Sequence, residues 1–204
     1  MQILPITLFE PEGLRIDRRF QWHGVPADWS FDSAARTLIV RTTETADFWQ
    51  RTHYGFRADS GHFLWTDAPH DFRMEVEVVL APLHQYDQAG LMVRFSADCW
   101  LKTSVEFEDG RINRLGCVVT NRGYSDWSTQ DIPASITDFE LRVTRHRSDY
   151  LVEARLPAGS WSQLRMAHLD EDNSAAAPQC GVYACSPKQP GLTATFRGFS
   201  LCLR

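Results

Sequence analysis

The stretch Asp71-Phe-Arg-Met-Glu-Val-Glu-Val-Val-Leu80 decides the fold class. Phe72, Met74, Val76 and Val78 fall on one side of an extended chain, and Arg73, Glu75 and Glu77 on the other. A period of two marks a half-buried β-strand, because successive side chains point to opposite faces. The alternation returns in Gln88-Ala-Gly-Leu-Met-Val-Arg-Phe95, where Ala89, Leu91, Val93 and Phe95 oppose Gln88, Met92 and Arg94. It returns again in Trp100-Leu-Lys-Thr-Ser-Val-Glu-Phe-Glu108, with Leu101, Thr103, Val105 and Phe107 opposite Trp100, Lys102, Ser104, Glu106 and Glu108.

Outward from this centre, short strand patterns occupy 37–41, 115–120, 139–144, 150–156, 164–169, 179–184 and 192–203. Turn signals separate them at Asp109-Gly110, Arg122-Gly123, Arg147-Ser-Asp149, Pro157-Ala-Gly159 and Pro187 to Gly191, and a hairpin is expected around Asp59-Ser-Gly61. No window holds a helical period; residues 83–88 have room for one turn. About a dozen short strands without a βαβ rhythm predict an all-β antiparallel sandwich or barrel. No shift in composition marks a linker, so residues 1–204 are expected to form one domain.

Composition narrows the functional classes. The chain is 43% hydrophobic and 23% charged, ordinary globular usage that excludes disorder and coiled coil. It carries 21 basic against 26 acidic residues, net −5, with no basic cluster. Nucleic-acid binding is not expected, since phosphate neutralisation needs a concentrated basic face. No apolar run reaches the roughly 18 residues of a membrane span. Met1 to Glu10 lacks a basic n-region and is broken by Pro5, so no signal peptide is expected. Five cysteines, an odd number, do not suggest a disulfide framework, and Cys99 and Cys117 read as small buried hydrophobes. The expected location is cytoplasmic. The histidines have no metal-ligand spacing, and phosphate loops and nucleophile elbows are absent, so neither metal nor cofactor is expected. Asp170-Glu-Asp-Asn173 reads as a solvated loop.

The polar faces of the three central strands carry the functional question. If the strands lie side by side, Glu75, Glu77, Gln88, Arg94, Trp100, Lys102 and Glu106 share one surface. That surface is either a ladder of solvated ion pairs or a sugar site. Planar amides and carboxylates hydrogen-bond vicinal hydroxyls, and an indole stacks on the apolar face of a pyranose. Two apparent loops add aromatics: Asp47 to Gly55, with Trp49 and His53, and Tyr124 to Ser128, with Trp127. Either tryptophan also reads as a core plug, and His53 as a structural histidine. The candidate ligand-binding set is His53, Glu75, Asp87, Gln88, Arg94, Trp100, Lys102, Glu106 and Trp127, with no catalytic residue assigned. Lys102 and Glu106 are expected to carry binding without carrying stability.

The segments Phe48-Trp-Gln-Arg-Thr-His-Tyr-Gly-Phe56, Tyr86-Asp-Gln-Ala-Gly-Leu-Met-Val-Arg94, Trp100-Leu-Lys-Thr-Ser-Val-Glu106 and Tyr124-Ser-Asp-Trp-Ser128 resemble the regulation-of-enolase family of concanavalin A-like lectin/glucanase domains. The resemblance covers roughly residues 15–200. It implies a jelly-roll sandwich of two curved antiparallel sheets, with the polar strand faces lining the concave one. The Glu-x-Asp-x-x-Glu strand of glucanase relatives is not matched: Glu108 and Arg111 stand at its third and sixth positions in Glu106-Phe-Glu-Asp-Gly-Arg111.

Three functions follow as expectations. The first is a non-catalytic binding module for a carbohydrate or sugar-like metabolite. The second is a protein-interaction module regulating a metabolic enzyme, as the family's name implies. The third is a glycoside hydrolase with a dyad drawn from Glu75, Glu77, Glu106 and Asp87. Pairs such as Glu75 with Glu77 stand about 7 Å apart at Cα, a spacing that hydrolysis permits but exposed strands also show by chance.

Overall fold

The computed structural model describes residues 5–10, 15–173 and 177–204. Numbered in chain order, its strands fall into two seven-stranded antiparallel sheets and a small hairpin. The first sheet runs β1 (Gln21–His23), β6 (His62–Asp67), β15 (Gln179–Cys185), β8 (Gln88–Ser96), β9 (Cys99–Phe107), β10 (Ile112–Asn121), β11 (Tyr124–Pro133). The second runs β14 (Ser162–His168), β13 (Asp149–Arg155), β12 (Asp138–His146), β7 (Phe72–Ala81), β16 (Thr193–Leu203), β3 (Thr37–Arg41), β2 (Asp28–Asp32). The hairpin is β4 (Phe48–Gln50) with β5 (Arg57–Asp59). Among the described residues no helix is long and apolar enough to cross a membrane.

The period-two faces form the core as expected. Phe72, Met74, Val76 and Val78 from one sheet meet Ala89, Leu91, Val93, Leu101 and Val105 from the other, all at 2% exposure or less. Burying them removes water from both inner faces at about 25 cal/mol per Å² of apolar surface. All five cysteines are free; Cys99, Cys117, Cys180 and Cys185 are buried and Cys202 is partly so. Burial pushes the Cys99 thiol up to about 11 and Cys117 to about 12, which leaves them as inert packing groups.

Strand pairing overturns one premise. β7 is not beside β8 and β9; it lies between β12 and β16 in the opposite sheet. Glu75 and Glu77 therefore face outward from the second sheet, far from the polar face of β8 and β9. Glu75 accepts from Arg142 at 2.7 Å and meets Arg73 at 3.1 Å, while Glu77 accepts from Arg197 at 3.0 Å. Periodicity assigns a residue to a face but not a strand to a partner, and the six residues between β7 and β8 carry the chain from one sheet to the other.

Local departures have similarly plain causes. Tyr124 to Ser128 is not a loop but the start of edge strand β11, which pairs on one side only and is largely exposed, so it lacks an apolar alternation. Residues 59–61 do not close a hairpin, because β5 pairs with β4 and β6 with β1 and β15. The turns at 122–123 and 147 are tight reversals, with left-handed backbone at Arg122, Gly123 and Arg147.

The acidic run 170–173 is not simply solvated. Asp172 turns inward, where its carboxylate accepts from Arg145 Nε at 2.8 Å, from Arg145 Nη2 and from the Tyr150 hydroxyl. Arg145 also donates to the His70 carbonyl at 3.0 Å. This network ties the loop after β14 to β12 and β13 at one end of the core. Asp172→Ala strands a buried guanidinium, so unfolding free energy should fall by about 3–5 kcal/mol. Urea titration of wild type and variant checks this, and a loss below ~1 kcal/mol would show that the network carries little stability.

Candidate functional site

The first sheet's outer face is only partly open. The β4–β5 hairpin lies across it, and Phe48 and Trp49 pack with Phe63, Met92, Trp100, Val118, Tyr183 and Cys185 in a second apolar cluster. Gly61 permits this approach: a Cβ there would stand 2.1 Å from the Phe48 ring. What the hairpin leaves uncovered is a groove of about 240 Å³. Its floor comes from two cross-strand rows. Gln88 on β8 stands opposite Glu106 on β9, and Lys102 on β9 stands opposite Val118 on β10, which faces Trp127 on β11. Trp49, Tyr54 and Phe56 from the hairpin form one wall, with Tyr86, Pro187 and Lys188 at the rim. The chain at 42–46 is stitched to 186–192 by paired backbone bonds between Ala46 and Ser186 and a Thr42–Ser186 hydroxyl contact at 2.8 Å, which brings Lys188 to the rim.

Polar groups on the floor are coupled. Lys102 is 3% exposed; its ammonium donates to the Phe48 carbonyl at 2.8 Å and lies 3.5 Å from an Asp47 carboxylate oxygen. The rings of Trp100 and Tyr183 flank it, each 5.7 Å away. Gln88 orients Glu106: its Oε1 accepts from the Tyr183 hydroxyl at 3.0 Å and its Nε2 donates to Glu106 Oε2 at 2.5 Å. Burial pushes the Glu106 carboxyl up to about 8, against the pull of the Lys102 charge. At neutral pH it is mostly a neutral acid that can both donate and accept.

The structure brings together Gln88, Lys102, Glu106 and Trp127 from the expected set. It separates the others. Glu75 is on the opposite sheet. Asp87 is fully buried and caps its own turn, accepting from the backbone of Leu83 and His84 at 2.8 and 2.9 Å. Arg94 is held by Asp59 at 2.8 Å, outside the groove. Trp100 is fully buried under the hairpin, its indole nitrogen donating to Ala97, and has no free face for a ligand. His53 lies on the far side of the Trp49–Tyr54 wall, bordering a second, open hollow. The proposed dyad does not assemble, since Glu75 and Glu77 are on the other sheet and Asp87 is engaged by backbone.

Asp47, Tyr54, Phe56, Tyr86 and Lys188 were not singled out from sequence. The density of aromatics from Phe48 to Phe56 is a signal for the hairpin residues, whereas nothing local marks Lys188. A wider hollow of about 390 Å³ on the other sheet is a weaker candidate, because its Glu77 and Glu140 are engaged by Arg197 and Arg155. Among the described residues no three His, Cys, Asp or Glu side chains gather as metal ligands.

Two outcomes follow from this geometry. Lys102→Ala leaves Asp47 and the Phe48 carbonyl without their buried partner and should cost about 3 kcal/mol or more, contrary to a purely ligand-facing role; denaturant melts measure it. Glu106 is neutral in the folded chain up to about pH 8 but ionises near its ordinary value when unfolded. Its stabilising contribution is complete below that ordinary value and is lost as pH rises to and through 8. Melting temperatures of Glu106→Gln should therefore gain on wild type steadily between pH 5 and 8.5, and a constant difference would mean an ordinary carboxylate.

Comparison with known proteins places the chain. The profile of a family described as "Protein of unknown function (DUF1349)" matches residues 22–202. "Regulation of enolase protein 1" from Saccharomyces cerevisiae is 37% identical over 167 residues, 82% of either chain. A structure of a functionally unknown protein from Saccharomyces cerevisiae superposes with TM-score 0.82 at 34% identity, over 91% of this chain and 97% of that one. The Bacteroides ovatus xyloglucan protein GH43B (TM-score 0.74, 19% identity) and the xylan β-1,4-xylosidase of Bacillus halodurans (0.72, 14%) match essentially all of this chain but only 40% and 39% of their own lengths. At such identities they share the concanavalin A-like fold alone. This chain is thus a member of the DUF1349 family and a relative of yeast regulation of enolase protein 1.

Proposed function

We propose that the chain is a non-catalytic binding module whose groove takes one ring of a neutral carbohydrate or sugar-like metabolite. The observation that carries this reading is the pairing of an aromatic wall with a compensated polar floor in one small hollow. Trp49, Tyr54, Tyr86 and Trp127 offer apolar faces, and Gln88 and Glu106 offer groups that donate and accept to hydroxyls. At about 240 Å³ the hollow is below the roughly 300–1,000 Å³ typical of drug-sized sites and suits a single ring. Asp47 balances Lys102, and a neutral Glu106 adds no charge, so the floor favours an uncharged ligand. The xyloglucan and xylan proteins that share the fold support a saccharide as the class to test first.

A regulatory protein contact is the second reading, favoured by the name of the yeast relative. Exposed Tyr54 and Phe56 beside the groove supply apolar surface for it. Co-elution with purified enolase, unaffected by saccharides, would favour that contact over the groove.

Thermal-shift and titration calorimetry against neutral monosaccharides test the first reading. Wild type should gain stability in proportion to the logarithm of ligand concentration above Kd. Trp127→Ala should weaken binding about tenfold or more while its own melting temperature drops only a few degrees, about 2–4 °C per kcal/mol lost. No shift at high saccharide concentration would overturn the proposal.

A further inference from the structure

The groove does not end at its aromatic wall. On the far side of Trp49, Tyr54 and Trp127 lies a second hollow of about 560 Å³, bordered by Thr52, His53, Tyr124 and Asp126. The same three aromatics line both hollows, so the wall is a shared ridge between two adjoining depressions. We infer that the two hollows are consecutive subsites for a linear, neutral oligosaccharide of at least two rings, the second ring seated against Tyr124. The inference rests on the saccharide reading of the groove and extends it from a single ring to a chain.

Three features of the second hollow point to a ligand of this kind. Its aromatics are unusually open: Tyr54 is 52% and Tyr124 61% exposed, although each would ordinarily bury much of its ring. Arg51 lies over one face of the Tyr124 ring at 5.3 Å from its centre and restrains it, while the residue stays largely exposed. Polar groups stand beside these rings. His53 packs edge-to-face with Tyr54, ring centres 4.8 Å apart, and Asp126 is balanced by Arg165 at 3.0 Å while its side chain stays 69% exposed. Asp126 is balanced by Arg165 here as Lys102 is by Asp47 on the groove floor, so neither floor presents an unpaired carboxylate or ammonium to a ring.

The backbone is committed to presenting this rim. Arg51 and His53 both hold left-handed conformations, at φ 55° and 62°, and Tyr86 at the rim of the groove does so at 73°. For residues with a Cβ this conformation is strained and persists only where the surroundings hold it. The turn keeps the conformation through its own bonds, Tyr54 N–H to the Thr52 carbonyl and Gly55 N–H to the Arg51 carbonyl, both 2.7 Å. The Trp49 indole also donates to the Thr52 carbonyl at 3.0 Å, so the turn and the ridge between the subsites are one unit.

Titration calorimetry with β-1,4-linked gluco- and xylo-oligosaccharides of one to four rings tests the inference. Affinity should rise about tenfold or more, about 1.4 kcal/mol, from one ring to two or three and then level off. Tyr124→Ala should erase that increment and leave the monosaccharide Kd unchanged. Because Tyr124 is exposed, the variant should melt with wild type, and circular dichroism confirms that it is folded. Equal affinity for one ring and three, or an increment that survives Tyr124→Ala, would overturn the second subsite while leaving the groove intact. Failure of every member to bind, the monosaccharides included, would overturn the groove and this extension together.

Discussion

The buried ammonium of Lys102 pins the outer face of the first sheet together. A charge at 3% exposure is tolerable only where its hydrogen bonds and counter-charge are in place, and here the Phe48 carbonyl and Asp47 supply both. Both partners belong to the segment that crosses the sheet, so docking the β4–β5 hairpin and satisfying Lys102 are one event. The hairpin brings Trp49, Tyr54 and Phe56 with it and covers Met92 and Trp100. The groove is the remainder: the end of the strand face that the hairpin does not reach. A side chain that reads as a ligand contact is therefore first a structural one.

Identical residue types have opposite fates on the two sheets. Outside the second sheet, Glu75, Glu140 and Glu153 pair with Arg142 and Arg155, and Trp161 stacks beneath the Arg142 guanidinium at 3.8 Å. These partly exposed pairs each contribute little. On the first sheet Arg114, opposite Glu106 on β10, is taken up by Glu108 and Asp131; Glu106 accepts instead from Gln88 at 2.5 Å, and burial holds its proton. The difference lies in solvent. One face is open along its length, whereas Glu106 lies on the floor of a narrow groove beside the hairpin's aromatic wall. The fold shared with the xyloglucan and xylan proteins concerns the sandwich beneath these faces, not the groups upon them.

How far the site was legible follows from which interactions are local. Gln88, Lys102 and Glu106 could be read as sharing a face because β8 and β9 are joined by a short hairpin, and sequence neighbours pair in such an arrangement; Trp127 read as a loop residue and reaches the face only because 124–133 is an edge strand. Glu75 looked equivalent and was not, since its strand leaves for the other sheet. Trp100 looked available and is sealed, since Phe48 and Trp49 of the hairpin that covers it lie 52 and 51 residues upstream. Asp172 looked solvated and is the anchor of Arg145 and Tyr150, because an acidic run does not reveal that one of its members turns inward.

By itself the sequence determined the all-β class, most strand positions, the inward faces and the family. All of these depend on the period of two, on turn residues or on direct likeness of the chain, each of which is written along it. Only the tertiary structure decided which sheet each strand joined, what covered the outer face of β8 to β11, and which carboxyl kept its proton. Strand partners are chosen by closure of the whole sandwich, and a pKa by the water that distant segments exclude. Neither quantity belongs to any one stretch of residues.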